Sequence, residues 1–175
     1  SGAVLQDIVP VYPLSAGIKQ KFMAGIVSEA LGYVGRELTE FLPTSSWSQI
    51  ERAVRELTMA GYLPVLAHIE RYQCLREKGR LEELMKEGAY LQMNYGSLTK
   101  LSHFWKIRER LDRRWCRRTL LAGYISFLGT DMHGHRHRVP NSAKAIAWIR
   151  KKGGSELARQ LSIENPEKII LDEKL

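Results

Sequence analysis

Apolar runs of strand length alternate along this chain with amphipathic stretches of helix length. The apolar runs predict strands at 37–41, 62–67, 90–94 and 124–129, and helical periodicity predicts helices at 18–32, 47–60, 81–86 and 140–151, with a basic helical region between 97 and 123. Strands that alternate with helices of this length imply parallel βα units joined by right-handed crossovers. The pattern therefore predicts an α/β fold with about four parallel strands flanked by helices.

Capping and breaking residues mark several of these boundaries. Ser46 is a predicted N-cap for the helix at 47–60, and Gly61 is its predicted stop. The buried stripe of this helix is expected to comprise Trp47, Ile50, Val54 and Leu57. Toward the C-terminus, Gly153-Gly154 is predicted to break the helix at 140–151. Asn165-Pro166 is predicted to end the last helical turns at 156–161, because proline cannot continue a helix.

Composition places the chain among ordinary globular proteins. Its 175 residues are 44% hydrophobic, which suits one domain with a sizeable core. The sequence contains no apolar run near the ~20 residues that span a bilayer, and its start does not read as a signal peptide. With only Cys74 and Cys116, far apart, neither a disulfide framework nor a structural zinc site is indicated, and both are expected to be reduced thiols. We therefore predict a cytoplasmic protein without membrane insertion.

The net charge of +8 concentrates in the stretch 106–118. Such a stretch can bind nucleic acid or, as a basic rim, a phosphorylated acidic substrate. However, Ile107, Leu111 and Trp115 recur at four-residue spacing, which predicts one buried stripe on an amphipathic helix whose other faces are charged. Because no known nucleic-acid motif accompanies the charge, we favour a solvated helix face over a nucleic-acid surface.

Side chains that can bind metal stand where two of the predicted strands end. His68 follows the apolar run 64–67, and Asp131 and His133 follow the run 125–130. The carboxyl ends of strands are where α/β sheets and barrels build their sites, and residues i and i+2 of an extended segment point the same way. Imidazole and carboxylate without nearby thiolate suit manganese, iron or zinc. A single histidine after a strand is more often a core residue, but two such strand ends favour a metal site.

Several segments together resemble the PHP (polymerase and histidinol phosphatase) superfamily, and within it the manganese-dependent protein-tyrosine phosphatases of bacterial capsule and exopolysaccharide operons. The most specific segment is 64–72, Pro-Val-Leu-Ala-His-Ile-Glu-Arg-Tyr. The other matching segments are Thr39-Glu40-Phe41, Gln92-Met93-Asn94, Gly96-Ser97-Leu98, Thr130-Asp131-Met132-His133 and Arg138. The resemblance implies a metal-dependent phosphoesterase with a PHP-type distorted (β/α) barrel, here a partial barrel.

The resemblance also implies roles for individual side chains. The metal ligands would be Glu40, His68, Asp131 and His133, holding manganese, with iron or zinc as alternatives. Arg71 and Arg138 would contact the phosphate of phosphotyrosine, because the planar guanidinium matches phosphate oxygens and keeps its charge. Tyr72 would pack on the ring of the substrate, although a tyrosine in this position is more often part of the core. The plainer interpretation of Glu70-Arg71 is a surface ion pair.

One part of the family pattern is missing from this sequence. The family begins with His-x-His, Pro-His-His and Gly-x-Glu motifs that supply several ligands, and no histidine precedes His68 here. We therefore expect one PHP-like domain over 1–175, incomplete at its N-terminus, with a divergent helical lead-in at 1–36 and family-like βα units at 37–175. Its metal site would be incomplete, and a second copy or another chain would cover the open sheet edge.

Two functions are compatible with this pattern. The first is a phosphatase that removes phosphate from tyrosines of the capsule-assembly kinase. The second is a non-catalytic regulatory or scaffold protein that binds phosphorylated kinase tails or another chain. The missing His-x-His motif favours the second function for this chain and the first for its ancestry.

Overall fold

The structure, a computed structural model, describes residues 44–99, 107–130, 142–171 and 175, together with the backbone of 36–39. The predicted helix at 18–32 lies outside the described residues, as does the end of the first predicted strand. The chain forms two compact units, residues 1–91 and residues 92–175. The boundary falls between Leu91 and Gln92, within the strand Tyr90–Asn94.

Within its described residues, the first unit contains three parallel strand segments. They are β1 (Arg36–Thr39), β2 (Leu63–Leu66) and the first two residues of β3 (Tyr90–Asn94). Arg36 is paired with Leu63 in the β1–β2 register, and Leu66 is paired with Leu91 in the β2–β3 register. Strand β2 therefore has a hydrogen-bonded neighbour on each side. Its position between two strands agrees with the burial of Val65 and Leu66, which are 4% and 0% exposed.

Helix α1 (Trp47–Met59) begins at the predicted N-cap. The Ser46 hydroxyl accepts a hydrogen bond from the Gln49 backbone N–H, and the Gln49 side chain accepts one from the Ser46 N–H at 2.7 Å. This reciprocal capping box satisfies two donors that the first turn would otherwise leave open. The helix buries Ile50 and Val54 as expected, but Ala53 joins them while Trp47 and Leu57 are only half-buried.

The second unit pairs the end of β3 with β4 (Phe127–Gly129), again in parallel, with Asn94 opposite Gly129. Helix α2 (Arg80–Lys86) belongs to the first unit. The described residues of the second unit form the helices α3 (Tyr95–Thr99), α4 (Ile107–Leu121), α5 (Ala143–Arg159) and α6 (Asn165–Ile170). A π-helical turn at Gln160–Glu164 joins α5 to α6. The predicted α/β fold with a parallel sheet flanked by helices is confirmed.

The predicted buried stripe of α4 is wrong for two of its three residues. Ile107 and Leu111 are 72% and 57% exposed, and the helix instead buries Cys116, Thr119 and Leu120. The four-residue spacing correctly placed Ile107 and Leu111 on one face, but spacing alone does not say which face meets the rest of the unit.

The C-terminal helices confirm one expected break and contradict another. Gly154 leaves helical geometry with φ +92° and ψ 163°, so α5 is kinked where the Gly-Gly pair predicted a break. Asn165-Pro166 was expected to end the helical structure, yet α6 begins there with the proline in its first turn. Proline is tolerated at that position because the missing N–H has no helical partner in a first turn. Within the described part of the chain, no helix combines the length and apolarity needed to cross a membrane.

Candidate active site

His68 occupies a sharp turn at the carboxyl end of β2. It is 3% exposed, and its backbone is left-handed, with φ 56° and ψ 44°. Among the residues that the structure describes, it is the one non-glycine residue with positive φ. Holding an L-residue in this conformation costs about 1–3 kcal/mol, and such residues cluster at functional sites. The chain therefore maintains an unfavourable backbone at the histidine that was predicted to bind metal.

A short 3-10 helix, Ile69–Arg71, stabilises this turn. The Arg71 backbone N–H donates to the His68 carbonyl at 2.9 Å. Ile69, Tyr72 and Leu75, spaced by three residues as in a 3-10 helix, are 0%, 0% and 1% exposed. The Tyr72 hydroxyl donates to the Ala67 carbonyl at 2.9 Å. Tyr72 thus belongs to the core, where it fixes the backbone that precedes His68.

Arg71 lies on the partly exposed side of the same turn, three residues after His68, and is half-buried. The neighbouring Glu70 is held through its backbone, because the Arg76 guanidinium donates to the Glu70 carbonyl at 3.4 Å. The charge of a half-buried guanidinium is less screened by water than that of a fully exposed one. This position is compatible with the predicted contact to a phosphate.

The remaining predicted site residues lie outside the described residues. They are Glu40, Asp131, His133 and Arg138. The part of the chain that the structure describes contains no group of three or more His, Cys, Asp or Glu suited to hold a metal ion. Since three of the four predicted ligands lie outside that part, the ligand set stays a prediction.

A second polar cluster lies in the second unit, and no role was predicted for it. Gln92 and Asn94 on β3 are each 9% exposed, and the Gln92 Nε2 donates to the Met93 carbonyl at 3.0 Å and to Asn94 Oδ1 at 3.4 Å. On β4, Gly129 is so close that a Cβ there would stand 2.5 Å from Gln92 Nε2. In the sequence, this cluster could have been found from two amide side chains that stand two residues apart in an otherwise apolar strand.

The two cysteines are free thiols, as expected. Cys74 is half-buried, and its Sγ donates to the Ser45 carbonyl at 3.6 Å. Burial raises the pKa of the Cys74 thiol above its ordinary value. Cys116 is 2% exposed. A nucleophilic cysteine requires a lowered pKa and open access; the pKa of Cys74 is raised instead, and Cys116 is buried.

Comparison with known proteins identifies the family. The family model for capsular polysaccharide synthesis, CpsB/CapC, matches residues 19–171. Tyrosine-protein phosphatase CpsB of Streptococcus agalactiae is 37% identical over 134 residues, which are 76% of this chain and 55% of that protein. CpsB of Streptococcus pneumoniae is 34% identical over 137 residues, covering 78% and 56% of the two chains. Tyrosine-protein phosphatase YwqE of Bacillus subtilis is 31% identical over 126 residues, covering 71% and 47%.

This chain thus spans about half the length of the curated relatives it matches. It also matches a solved structure from work on YwqE of Bacillus subtilis and CpsB of Streptococcus pneumoniae, which are described there as unique metal-dependent tyrosine phosphatases. That match has a TM-score of 0.69 at 24% identity and covers 95% of this chain and 63% of the other, so it shows a shared fold. The family resemblance that the sequence motifs indicated is confirmed. The chain belongs to the CpsB/CapC family of capsular polysaccharide synthesis proteins.

Proposed function

We propose that this chain is a metal-dependent phosphatase domain that hydrolyses phosphotyrosine in a protein substrate, with the capsule-assembly kinase as that substrate. The support is its membership of the CpsB/CapC family and the tyrosine-protein phosphatases among its relatives. The reaction adds water to phosphorus and breaks the bond between phosphorus and the tyrosine oxygen. The leaving oxygen takes up a proton, so the products are phosphate and tyrosine.

The observation that carries this proposal is the conformation of His68. Its imidazole stands directly after a buried strand, on a left-handed backbone that costs free energy to maintain. The turn is fixed from both sides, by Tyr72 through the Ala67 carbonyl and by the Arg71 N–H through the His68 carbonyl. A core histidine with no further role would not need a strained backbone held so firmly.

The proposed metal ligands are His68 together with Glu40, Asp131 and His133. The chemistry of this donor set fits manganese, with iron and zinc as alternatives, because it combines imidazole with carboxylates and contains no thiolate. His68 fits such a ligand, since it is almost fully buried and its ring is pre-positioned by the turn. When bound, a metal of this kind supplies Lewis acidity, which polarises the phosphoryl oxygens and makes water acidic enough to attack near neutral pH.

Arg71 and Arg138 are proposed to bind the phosphate. A guanidinium can donate two parallel hydrogen bonds to phosphate oxygens, which orients phosphorus for in-line attack and stabilises the charge on those oxygens in the transition state. Arg71 belongs to the same turn as His68, and its backbone N–H donates to the His68 carbonyl, so the backbones that carry the proposed phosphate contact and the proposed ligand are held together. Tyr72 supports that turn from the core.

The test is phosphate release from a phosphotyrosine peptide by the manganese-loaded chain, with bound metal measured on the same sample. His68→Asn keeps a residue type that tolerates left-handed geometry, and it should lower both metal content and turnover. Arg71→Ala should lower kcat/KM by about a hundredfold or more while leaving bound metal unchanged. Arg52→Ala, which removes a 57% exposed side chain from α1, is the matched control and should keep wild-type activity.

Three results would contradict the proposal. One is full activity in His68→Asn, and another is equal loss of activity in Arg71→Ala and Arg52→Ala. The third is tight binding of the phosphopeptide without release of phosphate, which would leave the chain with a regulatory binding role. Light scattering of the same sample tests the separate expectation that copies of the chain associate.

A further inference from the structure

Helix α4 presents a face whose side chains are exposed, opposite the face that packs against the described residues of its unit. Ile107 and Leu111 are 72% and 57% exposed, and Leu121 near the end of the helix is 45% exposed. Between them on the same face stand two exposed arginines, Arg114 and Arg118. These five residues follow one another at intervals of four, three, four and three, which places them on one continuous seam along the helix.

The opposite face anchors α4 in the second unit. Cys116, Thr119 and Leu120 are 2%, 4% and 1% exposed. On the flank, the Arg117 Nε donates to the Leu98 carbonyl at 2.9 Å, and its guanidinium lies 4.5 Å from the centre of the Trp148 ring. Among the described residues, the helix is thus fixed from one side, and the side chains of the seam on the other side are exposed.

We propose that this seam is a docking surface for an acidic amphipathic helix of another protein. Aliphatic side chains at four-three spacing are the pattern by which one helix packs along another. The arginines in the middle of the seam add a requirement, because a partner that covers them must supply carboxylates to compensate for the desolvated charge. The partner chemistry is therefore leucine-like residues at the same spacing, flanked by glutamate or aspartate.

The charge on α4 disfavours a second copy of this chain as the occupant. Two α4 seams in contact would bring Arg114 and Arg118 of both copies together, in a chain that already carries a net charge of +8. The aliphatic residues disfavour nucleic acid, since Ile107, Leu111 and Leu121 offer nothing to a phosphate backbone. An acidic amphipathic helix can contact both the aliphatic residues and the arginines of the seam.

The experiment measures binding of a fluorescent synthetic helical peptide to the full chain by anisotropy. The peptide carries leucine at four-three spacing with glutamate beside it, and a scrambled peptide of the same composition is its control. We expect saturable binding of the patterned peptide and at least tenfold weaker binding of the scrambled one. Raising the salt concentration should weaken binding, because the charged contacts lie at the surface.

Paired variants locate the contact. Arg114→Glu with Arg118→Glu should weaken binding at least tenfold, and replacing the peptide glutamates with lysines should restore it. Lys151→Glu with Lys152→Glu makes the same charge change on exposed positions of α5 and should have little effect. Leu111→Ser should weaken binding, whereas Met59→Ser on α1, where the side chain is 81% exposed, should not.

The proposal is overturned by equal binding of the scrambled peptide, by equal loss in the α5 control, or by no saturable binding. It is also overturned if a DNA duplex of similar length binds more tightly and displaces the peptide, which would identify the seam as a nucleic-acid surface. Because the assay involves no phosphate release, its outcome is independent of the proposed phosphatase activity.

Discussion

Replacing Gly129 by alanine tests how closely β4 approaches the amide cluster on β3. The added Cβ would stand 2.5 Å from Gln92 Nε2 and 3.8 Å from Asn94 Oδ1. Ordinary contacts begin near 3.4 Å, so the Gln92 amide must move by at least roughly 0.5–1 Å. That movement disturbs the bonds of Nε2 to the Met93 carbonyl at 3.0 Å and to Asn94 at 3.4 Å.

The expected cost has two parts. The new Cβ would meet the end of the Gln92 side chain, which can turn aside, so the overpacking cost is at the low end of its range, about 1 kcal/mol. Loss of a buried hydrogen bond adds about 1 kcal/mol. Gly129→Ala should therefore lower the free energy of unfolding by about 2 kcal/mol, which for a protein of this size corresponds to a decrease in Tm of roughly 4–8 °C.

Urea unfolding of a double-mutant cycle separates this clash from other effects of the substitution. Gln92→Ala removes the amide that the new methyl group strikes, so Gly129→Ala should cost much less in that background. The coupling free energy between the two positions should exceed about 1 kcal/mol. A single-variant cost below about 0.5 kcal/mol, or costs that add within about 0.5 kcal/mol, would refute the close approach of Gly129 to Gln92.

Two further substitutions test the elements around β2. Tyr72→Phe removes the buried hydrogen bond to the Ala67 carbonyl and should lower the free energy of unfolding by about 1–2 kcal/mol, measured by urea denaturation. Tyr62→Phe, at a half-buried position where water can replace a partner, should cost less, and equal costs would contradict the assignment. Ser46→Ala should cost about 1 kcal/mol in the same assay and lower the helical circular dichroism signal, because Gln49 loses its capping partner. An unchanged unfolding midpoint would show that the cap contributes nothing.

Local signals in the sequence were sufficient for several elements. The start of α1 followed from the Ser46 cap, and the bounds of β3 agree with the predicted 90–94. Both depend on residues close in sequence, since a cap is completed within one turn and a buried strand is a continuous apolar run. The kink in α5 at Gly154 is local in the same sense, because a glycine can adopt the positive φ that breaks the helix.

Features that depend on tertiary neighbours could not be predicted in the same way. Periodicity identified the seam at Ile107 and Leu111 but assigned it to the core, whereas α4 is anchored through Cys116, Thr119 and Leu120. Pro166 predicts the end of the helix, but the start of α6 is held by Asn165, whose side chain donates to the Ser126 carbonyl at 2.8 Å. That bond joins residues 39 positions apart, which no local pattern reveals.

The candidate site likewise combines features that the sequence predicts with features that only the folded chain shows. The apolar run before His68 located the end of a strand, and the family motif singled out the histidine. The left-handed backbone at His68 and the bond from Tyr72 to Ala67 appear only in the folded chain. They change the interpretation of Tyr72, because its hydroxyl donates a hydrogen bond to the Ala67 carbonyl, next to the proposed ligand His68.

Cys74 provides a prediction that separates the proposed chemistry from cysteine-dependent phosphate transfer. Burial raises the pKa of its thiol, so the fraction of reactive thiolate at neutral pH is smaller than for an ordinary cysteine. Iodoacetamide should therefore modify Cys74 more slowly in the folded chain than in urea at the same pH. The modification rate should keep rising as the pH passes the ordinary thiol pKa of about 8.5.

The corresponding activity measurement uses Cys74→Ala and Cys116→Ala. If hydrolysis depends on the proposed ligands and arginines, both variants should release phosphate from a phosphotyrosine peptide at the wild-type rate once their folding has been verified. A cysteine nucleophile would require the opposite, namely loss of turnover in one variant together with fast alkylation near neutral pH. Since the Cys74 thiol is half-buried, donates to the Ser45 carbonyl and has a raised pKa, its environment favours the thiol over the thiolate that such a mechanism would need.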